Sequence, residues 1–343
     1  MSHQPHKTNF LFPRLSLSQS NRMNSIISFF RLIRYPNLIF IVLTQFMLHF
    51  LLMKPVMNYA QIEMSFDNVH FALLVFSTVL IAAGGYAIND YFDVNIDMIN
   101  KPNKTYVDKT IHRRSAMLVH QGLTALGILF GFYLAWKIGN LKLGMIQPIV
   151  AALLWFYSTY HKRKAFVGNV IVAFLTSLVV LIVVLYEPNL FRISLTDQQV
   201  DWCAMVLKFC LVYFVFSFLI SLIREIVKDM EDVDGDEKSG ARTLPVIWGI
   251  SKTKGLVYLL TTAAIFMVSW IGNYWMKNEF DMRVVYYSII PVQVLLASQI
   301  LFLKKAKFKK QFATVSLLLK ITMLVGISSI AVLYFTIFKQ LAQ

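Results

Sequence analysis

Nine runs of apolar residues, each long enough to cross about 30 Å of hydrocarbon, divide this chain into spans and polar connections. They fall at 37–53, 70–89, 115–135, 144–160, 166–186, 203–223, 255–273, 285–303 and 313–338. Runs of this length predict an all-α, polytopic membrane protein with about nine transmembrane helices. Ahead of the first run, Ile26, Ile27, Phe29, Phe30 and Ile33 are interleaved with Ser28, Arg31 and Arg34. That pattern predicts an amphipathic segment at the membrane interface, opening at Met23. Residues 1–22 show no such period and no apolar stretch ahead of a small-residue cleavage site. They are expected to form a disordered leader rather than a secretory signal, with residues 23–343 as a single transmembrane domain.

The connections alternate in charge. With the N-terminus inside, segments 1–36, 90–114, 161–165, 224–254 and 304–312 carry 24 of the 33 Lys and Arg residues. The outer loops hold Lys54, Lys137, Lys142, Arg192, Lys277 and Arg283, while Lys208, Lys320 and Lys339 fall within or just beyond spans. The positive-inside rule then predicts a cytoplasmic N-terminus and an external C-terminus. Two inner loops, 90–114 and 224–254, are long and acidic as well as basic, and connections of that length are usually functional.

Composition agrees with the pattern: 57% of residues are hydrophobic, 28 are Phe, and only 15% are charged, against about 25% in soluble domains. The formal charge of +15 lies in short clusters between apolar runs. Such clusters act as topology signals, so no nucleic-acid partner is expected; the surroundings are a lipid bilayer, and no obligate protein partner is evident. Cys203 and Cys210, seven apart on one helix, would be about 10 Å apart, too far for a disulfide. His120 and His161 stand in no metal-ligand spacing and are read as structural.

Chemistry concentrates in the two long inner loops. In the first, Asn89, Asp93 and Asp97 fall at i, i+4 and i+8, with Asp90 seven before Asp97. On a continuous helix these share a face, drifting about 40° per step. No basic residue interrupts them before Lys101, so the acids repel one another unless a cation intervenes. Mg²⁺ suits the role, because it takes one or two carboxylates plus water and substrate phosphate. In the second loop Glu225, Asp229, Asp232 and Asp236 fall at i, i+4, i+7 and i+11, within about 60° of one another on an ideal helix. Gly235 is a candidate break before the last of them.

An acid at the bilayer centre would cost about 2.5–3.5 kcal/mol, so both stripes belong at the interface or in a watered cavity. The metal-ligand candidates are Asn89, Asp90, Asp93, Asp97, Asp229, Asp232 and Asp236. Arg34 in RYPN, Lys162 and Arg163 in FYSTYHKRKAFVGN, and Arg224 beside the second stripe are candidates for a diphosphate. Walker A and GxGxxG loops are absent from the sequence, which argues against a nucleotide site. A cation transporter would hold its acids near the midplane in broken helices. A CDP-alcohol phosphotransferase would continue differently after Asp234-Gly235, where this chain reads Asp236-Glu237-Lys238-Ser239.

NDYFDVNID, at 89–97, resembles in full the first motif, NDxxDxxxD, of the UbiA superfamily of intramembrane prenyltransferases. Asp232 and Asp236, ahead of SGARTLP, resemble its second, and FYSTYHKRKAFVGN looks like its Tyr-rich segment. The resemblance runs from about Ser25 to the end. It implies helices around a central cavity, and Mg²⁺-dependent transfer from a prenyl diphosphate to a membrane-associated acceptor. Asp93, Asp232 and Lys162 would carry the catalysis. Aromatic walls would shield an allylic cation, with Tyr86, Phe156, Tyr157 and Tyr213 as candidates. REIVKDMEDVDGD and GARTLP look most like the digeranylgeranylglyceryl phosphate synthases, implying a geranylgeranyl donor, geranylgeranylglyceryl phosphate as acceptor and an ether-lipid product. Asn103 and Thr105 depart from that pattern. The alternative is prenylation of an aromatic quinone precursor such as 1,4-dihydroxy-2-naphthoate.

Overall fold

The structure, a computed structural model, describes residues 26–100, 106–162, 164–192, 194–277 and 282–338. The leader, Met23 and Arg163 lie outside the described residues. Among the described residues nine helices are long and apolar enough to cross a membrane. They are α1 (Tyr35–Tyr59), α2 (Asn68–Asn100), α3 (Arg113–Ile138), α4 (Leu141–His161), α5 (Val167–Leu185), α6 (Asp197–Lys238), α7 (Leu244–Tyr274), α8 (Val285–Lys305) and α9 (Lys309–Thr336). A short helical segment at 26–32 precedes them, with Ser28 and Leu32 buried and Ile26, Ile27 and Phe30 exposed, as an interfacial segment requires.

Hydropathy locates every span but underestimates α2 and α6. These hold 33 and 42 residues, about 50 and 63 Å at the α-helical rise. Both outrun the hydrocarbon and carry their acidic ends beyond the apolar run that identified them. α6 starts in a capping box, where Thr196 accepts from Gln199 N and the Gln199 side chain accepts from Thr196 N. The expected break at Gly235 does not occur, and α6 runs on to Lys238. Gly235 is buried there against Asn100 at the end of α2. Its backbone N–H donates to Asn100 Oδ1 at 3.1 Å, while Asn100 Nδ2 donates to Asp232 O at 3.1 Å. A Cβ at position 235 would overlap the Asn100 amide, so glycine is what lets the two helix ends meet.

α2 packs along α3, α5 along α6, and α9 between α6 and α8, with contacts back to α1. Small residues set the α2–α3 approach: a Cβ at Gly127 would run into Ile81. His120 on α3 is buried with its ring hydrogen-bonded to Gly84 O at 2.9 Å, a structural role. Cys203 and Cys210 are free and buried. The outer faces of α3 and α7 expose Leu118, Leu129, Leu259, Phe266 and Trp270, an apolar surface suited to lipid. Away from the acidic ends, Glu187 is buried and accepts from Ser65 N at 2.9 Å and from the Ser65 hydroxyl. Burial pushes its carboxyl above the usual range.

Candidate active site

α1, α2, α4, α5, α6 and α9 surround a cavity of about 1010 Å³. Among the described residues α3, α7 and α8 contribute nothing to its lining and form an outer layer. Both acidic stripes face inward. Asn89, Asp90, Asp93 and Asp97 line the cavity from α2, and Glu225, Asp229, Asp232 and Asp236 from α6. Away from these acids the wall is mostly apolar, including Leu48, Ile81, Val150, Leu175 and Ile330, with Thr44, Thr78 and Gln147 among them.

Cations are threaded between the acids. Lys162 follows a wide π-type turn at Tyr157–His161 that ends α4. Its ammonium is paired with Asp93 Oδ2 and lies 3.2 Å from Asn89 Oδ1. Asn89 Nδ2 also donates to Asp93 Oδ2 at 2.8 Å, so this carboxylate, only 4% exposed, is held from two helices. Arg34 precedes α1 with a left-handed φ of 51°, rare outside glycine. Its guanidinium donates to Asp90 at 2.7 Å and lies 5.1 Å from the Tyr86 ring centre, contacts that hold the strained backbone at the mouth of the cavity. On α6, Arg224 pairs with Glu225 at 2.7 Å and Lys228 approaches the same carboxylate at 3.7 Å. Asn169 at the start of α5 donates to Asp229 at 2.8 Å, and Thr243 donates to Asp236 at 3.1 Å. Lys309 lies 3.5 Å from Asp232 and donates to Asn100 O at 2.7 Å, bracing the junction of the two stripes.

Every donor these stripes offer is an oxygen, and neither His nor Cys lines the cavity among the described residues. That is the ligand chemistry of a hard divalent cation such as Mg²⁺. Among the described residues no three acidic, His or Cys side chains converge closely enough to hold a metal by themselves. The acids stand on separate walls, a spacing suited to a ligand that brings oxygens of its own.

Of the other residues singled out in the sequence, Arg224, Tyr86, Tyr157 and Tyr213 reach the cavity. Phe156 does not: its side chain is 57% exposed on the outer face. Neighbours on a helix lie about 100° apart, so Tyr157 faces the cavity while Phe156 points away from it. Asn100, Asn169, Thr243 and Lys320 were not marked by sequence reasoning. Asn100 had a signal, since it falls eleven after Asn89, the same offset that places Asp236 on the stripe of Glu225.

The UbiA prenyltransferase family model matches residues 57–335. A digeranylgeranylglyceryl phosphate synthase of Methanosphaera stadtmanae is 30% identical over 260 residues, covering 74% of this chain and 84% of that protein. One from Methanothermobacter thermautotrophicus is 36% identical over 199 residues, 57% of this chain and 61% of that one. A solved structure of digeranylgeranylglyceryl phosphate synthase superposes with a TM-score of 0.61 at 25% identity, covering 90% of this chain and 98% of its own. A UbiA homologue from Archaeoglobus fulgidus, solved with GPP and Mg²⁺ bound, shares the fold with a TM-score of 0.52 at 13% identity, covering 89% and 99%. Nine membrane-length helices among the described residues, a cavity faced by two aspartate stripes and a family match across most of the chain lead to one assignment. The chain is an integral membrane prenyltransferase and belongs to the UbiA family.

Proposed function

We propose that this enzyme transfers a geranylgeranyl group from geranylgeranyl diphosphate to the free hydroxyl of geranylgeranylglyceryl phosphate, forming an ether bond, with Mg²⁺ as cofactor. The observation that carries the reading is the division of one cavity. Its acidic end brings two aspartate stripes to one space, each paired with cations, while its other end is mostly apolar. Relatives about 30% identical are digeranylgeranylglyceryl phosphate synthases, and the Archaeoglobus fulgidus homologue binds GPP and Mg²⁺. Mg²⁺ would be held by Asn89, Asp90, Asp93 and Asp97 on one side and Asp229, Asp232 and Asp236 on the other. When bound, it neutralises the diphosphate and makes it a better leaving group.

The chain's own residues do the rest. Lys162 and Arg34 release their acids and take the diphosphate, Lys as a point charge and Arg as a fork. The apolar end takes the prenyl chain and excludes water from the allylic carbon. The faces of Tyr86 and Tyr157, near the acidic end, stabilise positive charge as the carbon–oxygen bond to the diphosphate breaks, while Tyr213, bonded to Ser329, lies further along the cavity. The acceptor hydroxyl then bonds to that carbon and loses its proton to water at the polar end. Arg224 and Lys228 supply the cationic surface that an acceptor carrying its own phosphate needs. Positive charge favours the cytoplasm for the N-terminus and both stripes, and the outside for the C-terminus.

The test is direct. Purified enzyme is given geranylgeranyl diphosphate with either geranylgeranylglyceryl phosphate or 1,4-dihydroxy-2-naphthoate, and products are identified by mass spectrometry. The diether phosphate is expected. A prenylated naphthoate without any diether would overturn the acceptor and leave the family standing.

A further inference from the structure

We propose that Lys320, with Asn37 beside it, forms a separate anion subsite on the α9 wall that takes the phosphomonoester of the acceptor lipid. The inference presupposes a phosphorylated acceptor and names what recognises it. Lys320 lies eleven residues into α9, about 16 Å along the helix, inside a span and facing the cavity. An ammonium at such depth is costly unless an anion meets it. On the α2 wall each cation already has its acid, Lys162 on Asp93 and Arg34 on Asp90. Lys320 differs: its hydrogen bond is to a neutral group, Asn37 Oδ1, at 3.4 Å. The charges facing it are Arg224, Lys228 and Arg34, with Glu225 as the opposing acid. Glu225 is engaged by Arg224 at 2.7 Å and approached by Lys228 at 3.7 Å. Lys320 is therefore bonded to a neutral amide, with cations on α6 and ahead of α1 around it, and a phosphate dianion reaching it would meet positive charge.

The wall below is shaped for the rest of the molecule. Met323, Ile327 and Ile330 follow Lys320 at i+3, i+7 and i+10, and all line the cavity. On an ideal helix the four lie within about 80° of one another, a cationic head above an apolar track. The α2 wall repeats the arrangement for the donor, with Asn89 and Asp93 above Gly85, Ala82 and Ile81. Two lipids, each with a phosphorylated head, can then lie along opposite walls with their reacting ends between them.

The experiment compares geranylgeranylglyceryl phosphate with its dephosphorylated alcohol at saturating geranylgeranyl diphosphate. Wild-type kcat/KM should favour the phosphorylated acceptor by about 100-fold or more, as expected of a site built to bond a group the analogue lacks. Lys320→Met should collapse that ratio to about fivefold or less through KM for the phosphorylated acceptor, with KM for the diphosphate little changed. Lys320→Arg should retain the preference. A Lys320→Met enzyme that keeps the wild-type ratio, or that loses both acceptors in proportion, overturns the subsite. Should that variant fail to insert, dodecyl phosphate decides on the wild-type enzyme. Competition against the acceptor alone supports the subsite, and competition against the diphosphate overturns it. Wild-type enzyme that ignores geranylgeranylglyceryl phosphate altogether overturns the acceptor assignment itself.

Discussion

Asp93→Asn and Asp232→Asn should each lower kcat/KM for prenyl transfer by at least about 100-fold, equivalent to about 2.7 kcal/mol of barrier. The two residues sit on different helices and have different neighbours, so a shared loss would trace to a shared ligand. Asp93 is nearly buried between Asn89 and Lys162, and Asp232 lies beside Lys309, where Asn100 ties α2 to α6. Asparagine preserves shape and one oxygen but removes the charge a divalent cation requires. Size-exclusion elution should match wild type for both, and melting should stay close to it for Asp232→Asn and fall modestly for Asp93→Asn, which leaves Lys162 without its acid, so lost chemistry is separable from lost fold. Turnover within about threefold of wild type in either variant, with normal insertion, would remove that stripe from the site.

Lys162→Met is expected to act on both stability and rate. The methionine keeps the apolar stem and deletes the ammonium that Asp93 and Asn89 share. A buried carboxylate left without its partner costs about 3–5 kcal/mol when fully enclosed. The Lys162 side chain is 33% exposed, so water relieves part of that, and a loss of about 2 kcal/mol in stability is expected. Activity should fall by about 100-fold, because the same cation is proposed to take the diphosphate once substrate arrives. The Asp93→Asn/Lys162→Met pair separates the two effects. It should melt above Lys162→Met, since no unpaired charge remains, yet stay as inactive as Asp93→Asn. A double variant no more stable than Lys162→Met would show that the pair carries no buried-charge penalty.

The helical spacing of acids in each inner loop was enough to place Asn89, Asp93, Asp97, Glu225, Asp229, Asp232 and Asp236 on cavity-facing stripes, because nothing but a continuous helix was needed to align them. Residues whose role depends on which helix face meets the cavity were harder to read. Phe156 and Tyr157 are adjacent aromatics about 100° apart on α4, and only the packing of that helix decides which faces in. Gly235 looked like a terminator because glycine costs a helix about 1 kcal/mol, but its missing side chain makes room for Asn100 and two hydrogen bonds offset that cost. Lys320 was set apart from the topology signals as falling within or just beyond a span, but given no role, since its meaning lies in what stands around it in the cavity rather than in its own segment.

The central claim is that both aspartate stripes hold one prenyl diphosphate together through Mg²⁺. Calorimetric titration of the purified protein with a non-ionising geranylgeranyl thiodiphosphate tests it most directly. Saturable binding should appear with Mg²⁺, disappear in EDTA, return when Mg²⁺ is restored in excess, and be lost in Asp93→Asn and Asp232→Asn separately. Equal binding without the metal, or wild-type binding in either variant, would contradict the account.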